Sequence, residues 1–175
     1  MTTISVPDQA LAGTLIDRQR AHLFPCETRL YDEPLVPVRA HGVWVEDARG
    51  REYLDLFAGI LTTSVGHCHP EVVARVQQQV ETLGHTSTLY ATGNEVAMAE
   101  RLSSIAPEGL THTFFTNSGT EAIETAVMLA RVHTGRWDVI ALRYGYSGRS
   151  ALATNLTANG AWRPLAHSDG GVKHV

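Results

Sequence analysis

The feature that most constrains the fold is a turn of small residues at 117–120, which joins a short apolar run at 114–115 to a long apolar-periodic segment. Strand, tight turn and helix in this order aim backbone N–H groups at one point, and such a point attracts an anion, typically a phosphate. Ser118 and Glu121 also have the spacing of a capping box, which marks helix starts in general. Gly119 favours the anion site because it lets another group approach the backbone closely.

The segments around this turn predict an α/β fold. Apolar residues recur at helical spacing after the turn, after Pro70 and after Asn94, so each stretch is expected to form an amphipathic helix. Residues 137–142 are typical of a buried strand. Helix, strand, helix, strand in sequence predicts a mostly parallel sheet with helices on both faces.

The N-terminal third is expected to form a small subdomain. Leu11, Leu15 and Leu23 indicate a helix within residues 2–24. Residues 43–45 and 52–57 read as two strands of a β-hairpin, with Gly50 closing the turn. We therefore predict a small-domain segment at 1–64 and the beginning of a larger domain at 65–175.

Composition excludes several partners. A formal net charge of −4 and the lack of a basic stripe argue against nucleic acid and against an anionic membrane surface. Cys26 and Cys68 are too few for a disulfide framework, which favours a reducing, cytoplasmic setting. The longest apolar stretch, 56–61, is far shorter than the roughly 20 residues of a membrane span, so no transmembrane segment is expected.

The run His67-Cys68-His69 suggests metal binding, but it lacks the usual ligand spacing and no second cluster follows it. A helix entry explains it better, with Pro70 in the first turn and His69 as the cap. We predict no metal site.

A second glycine-rich stretch, 143–150, follows the predicted strand at 137–142. Ligands of parallel sheets bind outside the carboxyl ends of the strands, so this stretch and the Ser118 turn are expected to face the same crevice. Tyr146 is a candidate for stacking on a flat ligand, although a tyrosine in a loop more often serves packing.

Four motifs in a fixed order resemble class III, pyridoxal-phosphate-dependent aminotransferases, over about Tyr31 to Val175. The motifs are 42–56, Gly66-His67-Cys68-His69-Pro70, Asn117-Ser118-Gly119-Thr120-Glu121-Ala122 and Tyr146-Ser147-Gly148-Arg149. The chain is most similar to the N-terminal portion of the alanine–glyoxylate aminotransferase type 2 group. This resemblance implies fold type I, incomplete here, in a full-length homodimer that moves an amino group between an amino acid (alanine-like, or an omega-amino donor) and a 2-oxo acid (glyoxylate or pyruvate).

The resemblance also implies roles for individual residues. Ser118, Gly119 and Thr120 would hold the phosphate of pyridoxal 5'-phosphate, and Tyr146 would stack on its pyridine ring. In the family, the Schiff-base lysine and the aspartate at the pyridine nitrogen lie downstream of Val175, so no catalytic residue is assigned here.

Two positions depart from the family pattern. Lys173, the single lysine of the sequence, does not match the family's lysine motif and is expected to be a surface residue. Ser147 stands where relatives commonly have histidine, which leaves the hydrogen bonding beside the ring open.

Two alternatives to a working aminotransferase remain. The first is a catalytically inactive fragment or interaction module that keeps the phosphate turn. The second is a nucleotide-binding domain, which is less favoured because the chain lacks Gly-x-Gly-x-x-Gly and Gly-Lys-Ser/Thr motifs. A fragment of a covered sheet leaves apolar faces exposed, so poor solubility of the isolated chain is also predicted.

Overall fold

The structure is a computed structural model that describes residues 9–24, 31, 33–163 and 170–175. The chain divides into two compact units with the boundary between Tyr90 and Ala91. Cys26 lies outside the described residues. The domain boundary predicted near residue 64 stays a prediction.

Among its described residues, the first unit contains a three-stranded antiparallel sheet and three helical segments. Its elements are α1 (Gln9–His22), β1 (Pro37–His41), β2 (Trp44–Asp47), β3 (Glu52–Leu54), α2 (Ala58–Leu61) and α3 (Pro70–Thr82). Trp44 pairs with Leu54 across the β2–β3 hairpin, as the alternation and turn residues predicted. β1 pairs with β2 on the other side, and the sequence did not indicate this strand.

The Asp47 carboxylate is the hydrogen-bonding centre of this sheet. It is 2% exposed and accepts from Arg49 N (2.8 Å), Arg51 N (2.9 Å), Arg51 Nε (3.1 Å) and the Tyr53 hydroxyl (2.9 Å). Burial raises the pKa of Asp47, but the hydrogen bonds from Arg51, Tyr53 and Arg49 outweigh it and hold the pKa at about 2. The turn between β2 and β3 is therefore closed by its own side chains.

The chain leaves β3 through a short left-handed segment. Residues Ala58, Gly59, Ile60 and Leu61 all have positive φ, so α2 is not a regular helix. Asp55 accepts from the backbone N–H groups of Phe57 (2.9 Å) and Ala58 (2.8 Å) at the start of this segment. These hydrogen bonds give the unusual backbone a local support.

Helix α3 begins where the sequence predicted. Pro70 is its first residue, and His69 occupies the cap position but makes no capping hydrogen bond with its side chain. The predicted helix entry is therefore confirmed in position, without a hydrogen bond from the His69 side chain. The apolar face of α3 is open, since Val72, Val76 and Val80 are each at least half exposed.

The described part of the second unit contains a two-stranded parallel sheet and three helices. Its elements are α4 (Gly93–Ile105), α5 (Gly119–Thr134), β4 (Val139–Ala141), α6 (Ala151–Leu156) and β5 (Val172–His174). β4 and β5 pair in parallel, with Val139 opposite Val172. The predicted α/β class with parallel pairing is confirmed, and helix α6 and strand β5 are additions that the sequence did not indicate.

The short strand predicted at 114–115 is not formed in the described part of the chain. Phe114 is 75% exposed and the run has no neighbouring strand. A strand is stabilised by its partner, so an apolar run without one stays extended but unpaired.

Burial in the second unit centres on one segment. Ala153, Thr154, Asn155, Leu156 and Thr157 are each at most 5% exposed. No helix within the described residues has both the length and the apolar character needed to cross a membrane.

Candidate functional site

The small-residue turn caps helix α5 as the Ser-x-x-Glu spacing predicted. Ser118 has extended backbone angles, and its Oγ accepts from Glu121 N at 3.2 Å. The Glu121 carboxylate reaches back and accepts from Asn117 N at 2.7 Å. Thr116 Oγ1 donates to Ser118 O at 3.1 Å and fixes the approach to the turn. The predicted cap by Ser118 is confirmed, and Glu121 pairs with the N–H of the residue before the cap.

Two N–H groups of the turn remain available. Within the part of the chain that the structure describes, neither Gly119 N nor Thr120 N donates to a protein acceptor. A Cβ built on Gly119 meets no atom within 4 Å, so the space beside the turn is open. N–H donors at a helix N-terminus with open space in front suit the oxygen atoms of a phosphate. These residues therefore fit a phosphate group.

The glycine-rich loop lies against this turn. Gly148 has a φ of +126°, and a Cβ built on it comes within 2.8 Å of Thr120 Cβ. Only glycine permits this close approach of the loop backbone to Thr120. Ser150 Oγ donates to Glu124 Oε1 one turn further along α5. The predicted proximity of the two glycine-containing loops is confirmed.

Tyr146 presents an open ring two residues before Gly148. It is 55% exposed, and its ring meets the Trp162 ring edge-to-face, with centroids 5.9 Å apart and planes at 84°. The next residue, Ser147, donates its backbone N–H to Thr157 Oγ1 at 3.0 Å. Sequence reasoning missed Trp162 and Thr157, because neither lies in a recognisable motif and both reach the loop only through the fold.

The His67-Cys68-His69 run serves the first unit. His67 Nε2 lies 2.6 Å from Asp55 Oδ2, and this hydrogen bond is the main reason that the pKa of Asp55 is lowered. Cys68 is an exposed free thiol. Among the described residues, no group of three or more histidine, cysteine, aspartate or glutamate side chains is placed to hold a metal ion.

Lys173 lies on β5 opposite Ile140, and its side chain is exposed. The predicted surface position is confirmed. The short Val172–His174 segment around it acquires strand geometry by pairing with β4.

Comparison with known proteins agrees with the geometry. The family model described as "Aminotransferase class-III" matches residues 28–174. Alanine–glyoxylate aminotransferase 2, mitochondrial, from Homo sapiens is 40% identical over 149 residues, which are 85% of this chain and 29% of that protein. The chain thus spans less than a third of this relative's length.

Solved structures show the same fold. An (S)-enantioselective omega-transaminase from Thermomicrobium roseum has a TM-score of 0.82 and 32% identity, covering 94% of this chain and 40% of that chain. A taurine:2-oxoglutarate aminotransferase from Bifidobacterium kashiwanohense, in complex with PLP and glutamate, has a TM-score of 0.83 at 22% identity and covers 94% of this chain and 37% of that chain. At that identity the second likeness concerns the fold alone. The predicted fold class of the PLP-dependent transaminases is confirmed.

Proposed function

The chain belongs to the class III aminotransferases, and we propose that it is the cofactor-phosphate-binding part of an enzyme that moves an amino group from an amino acid to a 2-oxo acid. The donor is alanine-like or an omega-amino compound, and the acceptor is glyoxylate or pyruvate. The observation that carries this proposal is the pair of available N–H groups, Gly119 and Thr120, with the loop that carries the exposed Tyr146 packed against Thr120 through Gly148.

Pyridoxal 5'-phosphate is the cofactor that membership of this family indicates. When bound, it supplies an electron sink for the amino-group transfer. The Gly119 and Thr120 N–H groups would donate to its phosphate, with Ser118 and the Thr120 hydroxyl as neighbouring polar groups. The positive end of the α5 dipole adds to the attraction for that dianion.

The second role of these residues is orientation. Tyr146 would cover one face of the pyridine ring and exclude water from it. Gly148 allows the loop to lie close against Thr120. This contact would keep the Tyr146 ring at a fixed distance from the Gly119 and Thr120 N–H groups. By holding the phosphate and the ring, these residues would fix the position of the cofactor's reacting carbon. Binding energy contributes to catalysis by holding the reacting groups in this way.

The remaining assignments also belong to this proposal. Residues 1–64 form part of a small domain and 65–175 begin the large cofactor-binding domain. The full-length form is a cytoplasmic homodimer whose partners are small amino acids and 2-oxo acids. No residue of this chain is proposed as the Schiff-base lysine, because Lys173 lies on β5 and outside the turn–loop site.

A matched pair of glycine variants tests the phosphate site. Gly119 and Gly93 are each the first residue of a helix in the second unit, and a Cβ on either meets no atom within 4 Å. Gly119→Ala adds a methyl group to the open space beside the turn, and it is expected to weaken pyridoxal 5'-phosphate binding about tenfold. Gly93→Ala is expected to leave binding unchanged. Equal affinities in both variants would overturn the site.

Turnover separates the active enzyme from the alternative of an inactive fragment or interaction module. Purified chain is mixed with pyridoxal 5'-phosphate, alanine and glyoxylate, and glycine formation is measured. Glycine formation above the rate of the free cofactor would rule out the inactive fragment. Cofactor binding without turnover would support a binding role for this chain alone.

A further inference from the structure

Helix α6 and the turn that follows it lie directly behind the loop that carries Tyr146. The segment Ala153–Thr157 is the most buried stretch of the described second unit. Helix α6, which leads into this segment, is capped by Ser150, whose Oγ accepts from Ala153 N at 3.1 Å and donates to Glu124 on helix α5. A well-buried element tied to α5 at its start is a rigid base on which a loop can be fixed.

Thr157 connects this base to the loop. It is fully buried, and its Oγ1 donates to Ala153 O at 3.0 Å while accepting from Ser147 N at 3.0 Å. The Thr157 hydroxyl thus donates a hydrogen bond to the backbone of α6 and accepts one from the loop. Ser147 N is held one residue beyond Tyr146, so the backbone that carries the tyrosine cannot move without breaking this hydrogen bond.

Trp162 holds the tyrosine ring itself. A turn in which Asn159 O accepts from Trp162 N at 3.0 Å and Asn159 Oδ1 accepts from Ala161 N at 3.0 Å returns the chain toward the loop. The indole then meets the Tyr146 ring edge-to-face. This geometry is the favourable one for two aromatic rings, and it supports Tyr146 from one side while the ring stays 55% exposed.

We propose that Thr157 and Trp162 are positioning residues, which set the Tyr146 ring at the height and angle needed to cover the pyridine ring of the cofactor. The inference rests on the proposed function of the turn and loop. Within the described residues, neither side chain hydrogen-bonds to the phosphate donors at Gly119 and Thr120. They therefore contribute to recognition of the ring and leave recognition of the phosphate unchanged.

The test compares two probes on the purified chain: pyridoxamine 5'-phosphate, which has the ring and the phosphate, and inorganic phosphate, which has the phosphate alone. Trp162→Ala is expected to weaken pyridoxamine 5'-phosphate binding roughly threefold to tenfold, the size of an aromatic edge contact. Phosphate binding stays unchanged. Trp162→Phe keeps a ring edge at this position and is expected to restore most of the affinity.

Trp137→Ala is the matched control, because Trp137 is an exposed tryptophan of the same unit whose ring packs on Arg131 instead. It is expected to leave the ratio of the two affinities as in the unmodified chain. A ratio that falls equally in Trp137→Ala and Trp162→Ala would overturn the positioning role of Trp162.

Thr157 is tested without any ligand. Thr157→Val removes the acceptor of the Ser147 N–H at nearly the same volume, and exchange of that amide hydrogen is expected to become roughly tenfold faster. Thr157→Ser keeps the hydroxyl and is expected to retain slow exchange. The Val variant should also lose affinity for pyridoxamine 5'-phosphate but not for phosphate.

The outcomes separate the two proposals. An unmodified chain that binds both probes, with variants that keep the affinity ratio, would overturn the positioning role and leave the proposed function standing. An unmodified chain that binds neither probe, although Ser147 N–H exchanges slowly, would contradict the proposed function and with it the purpose assigned to Thr157 and Trp162.

Discussion

Two turns of this protein use their hydrogen-bonding groups in opposite ways. The turn between β2 and β3 directs the N–H groups of Arg49 and Arg51 to the Asp47 carboxylate. The turn before α5 leaves the N–H groups of Gly119 and Thr120 without a protein acceptor in the described chain. Backbone polar groups are nearly always paired in a folded protein, so a closed turn contributes stability and an open one is suited to a ligand.

The largest expected effect concerns the closed turn. The pKa of Asp47 in the folded state lies at about 2, below its usual 3.8. The carboxylate therefore stabilises the fold at pH values above 3.8 and loses that contribution as the pH falls from 3.8 toward 2. Asp47→Asn replaces the carboxylate that accepts hydrogen bonds from Arg51 and Tyr53 with a neutral amide. It is expected to lower the free energy of unfolding and to make that free energy depend less on pH in the acid range. Urea unfolding between pH 5 and 2 measures both.

Asp17→Asn is the control for that experiment, because the Asp17 side chain is 76% exposed and makes a single long ion pair with Arg20. It is expected to leave unfolding nearly unchanged. An acid transition as steep in Asp47→Asn as in the unmodified chain would contradict the description of the closed turn.

The contact between the loop and the open turn should have the next largest effect. Gly148→Ala forces a Cβ against Thr120 in a left-handed backbone, so it is expected to cost about 1–3 kcal/mol of unfolding free energy. Gly109 also has a positive φ of +89°, but a Cβ there meets no atom within 4 Å. Gly109→Ala therefore measures the backbone strain alone, and the same loss in both would show that the Thr120 contact is unimportant.

A smaller effect is expected at the helix cap of the open turn. Ser118→Ala removes the acceptor for Glu121 N and is expected to cost about 1 kcal/mol. Thr92 is the cap residue of α4, but its side chain makes no capping hydrogen bond. Thr92→Ala should therefore cost much less, as thermal unfolding of the two variants can show.

Local patterns in the sequence predicted the elements that are stabilised locally. The β2–β3 hairpin follows from alternating residues around a turn, and α5 from its cap and its apolar spacing. Strand β5 has three residues beside two glycines, and only pairing with β4 makes it a strand. Helix α6 has only six residues, four of them small or polar, and its burial depends on the surrounding unit. These elements depend on tertiary contacts that a linear pattern does not contain.

The residues of the candidate site also differ in whether a local sequence motif indicates them. Ser118, Gly119, Thr120 and Tyr146 were recognised because they lie in short motifs that the family shares. Thr157 and Trp162 contact the loop from 10 and 16 positions further along the chain, through one hydroxyl and one ring edge. Single contacts of this kind leave no periodicity or spacing in the sequence.

The comparison of the two turns is tested most directly by amide chemical shifts during a titration with pyridoxamine 5'-phosphate. The account predicts that the Gly119 and Thr120 amide resonances move most, because their N–H groups gain a phosphate acceptor, while the Arg49 and Arg51 amides of the closed turn do not move. Unchanged Gly119 and Thr120 resonances at saturating ligand, or shifts of equal size at both turns, would contradict it.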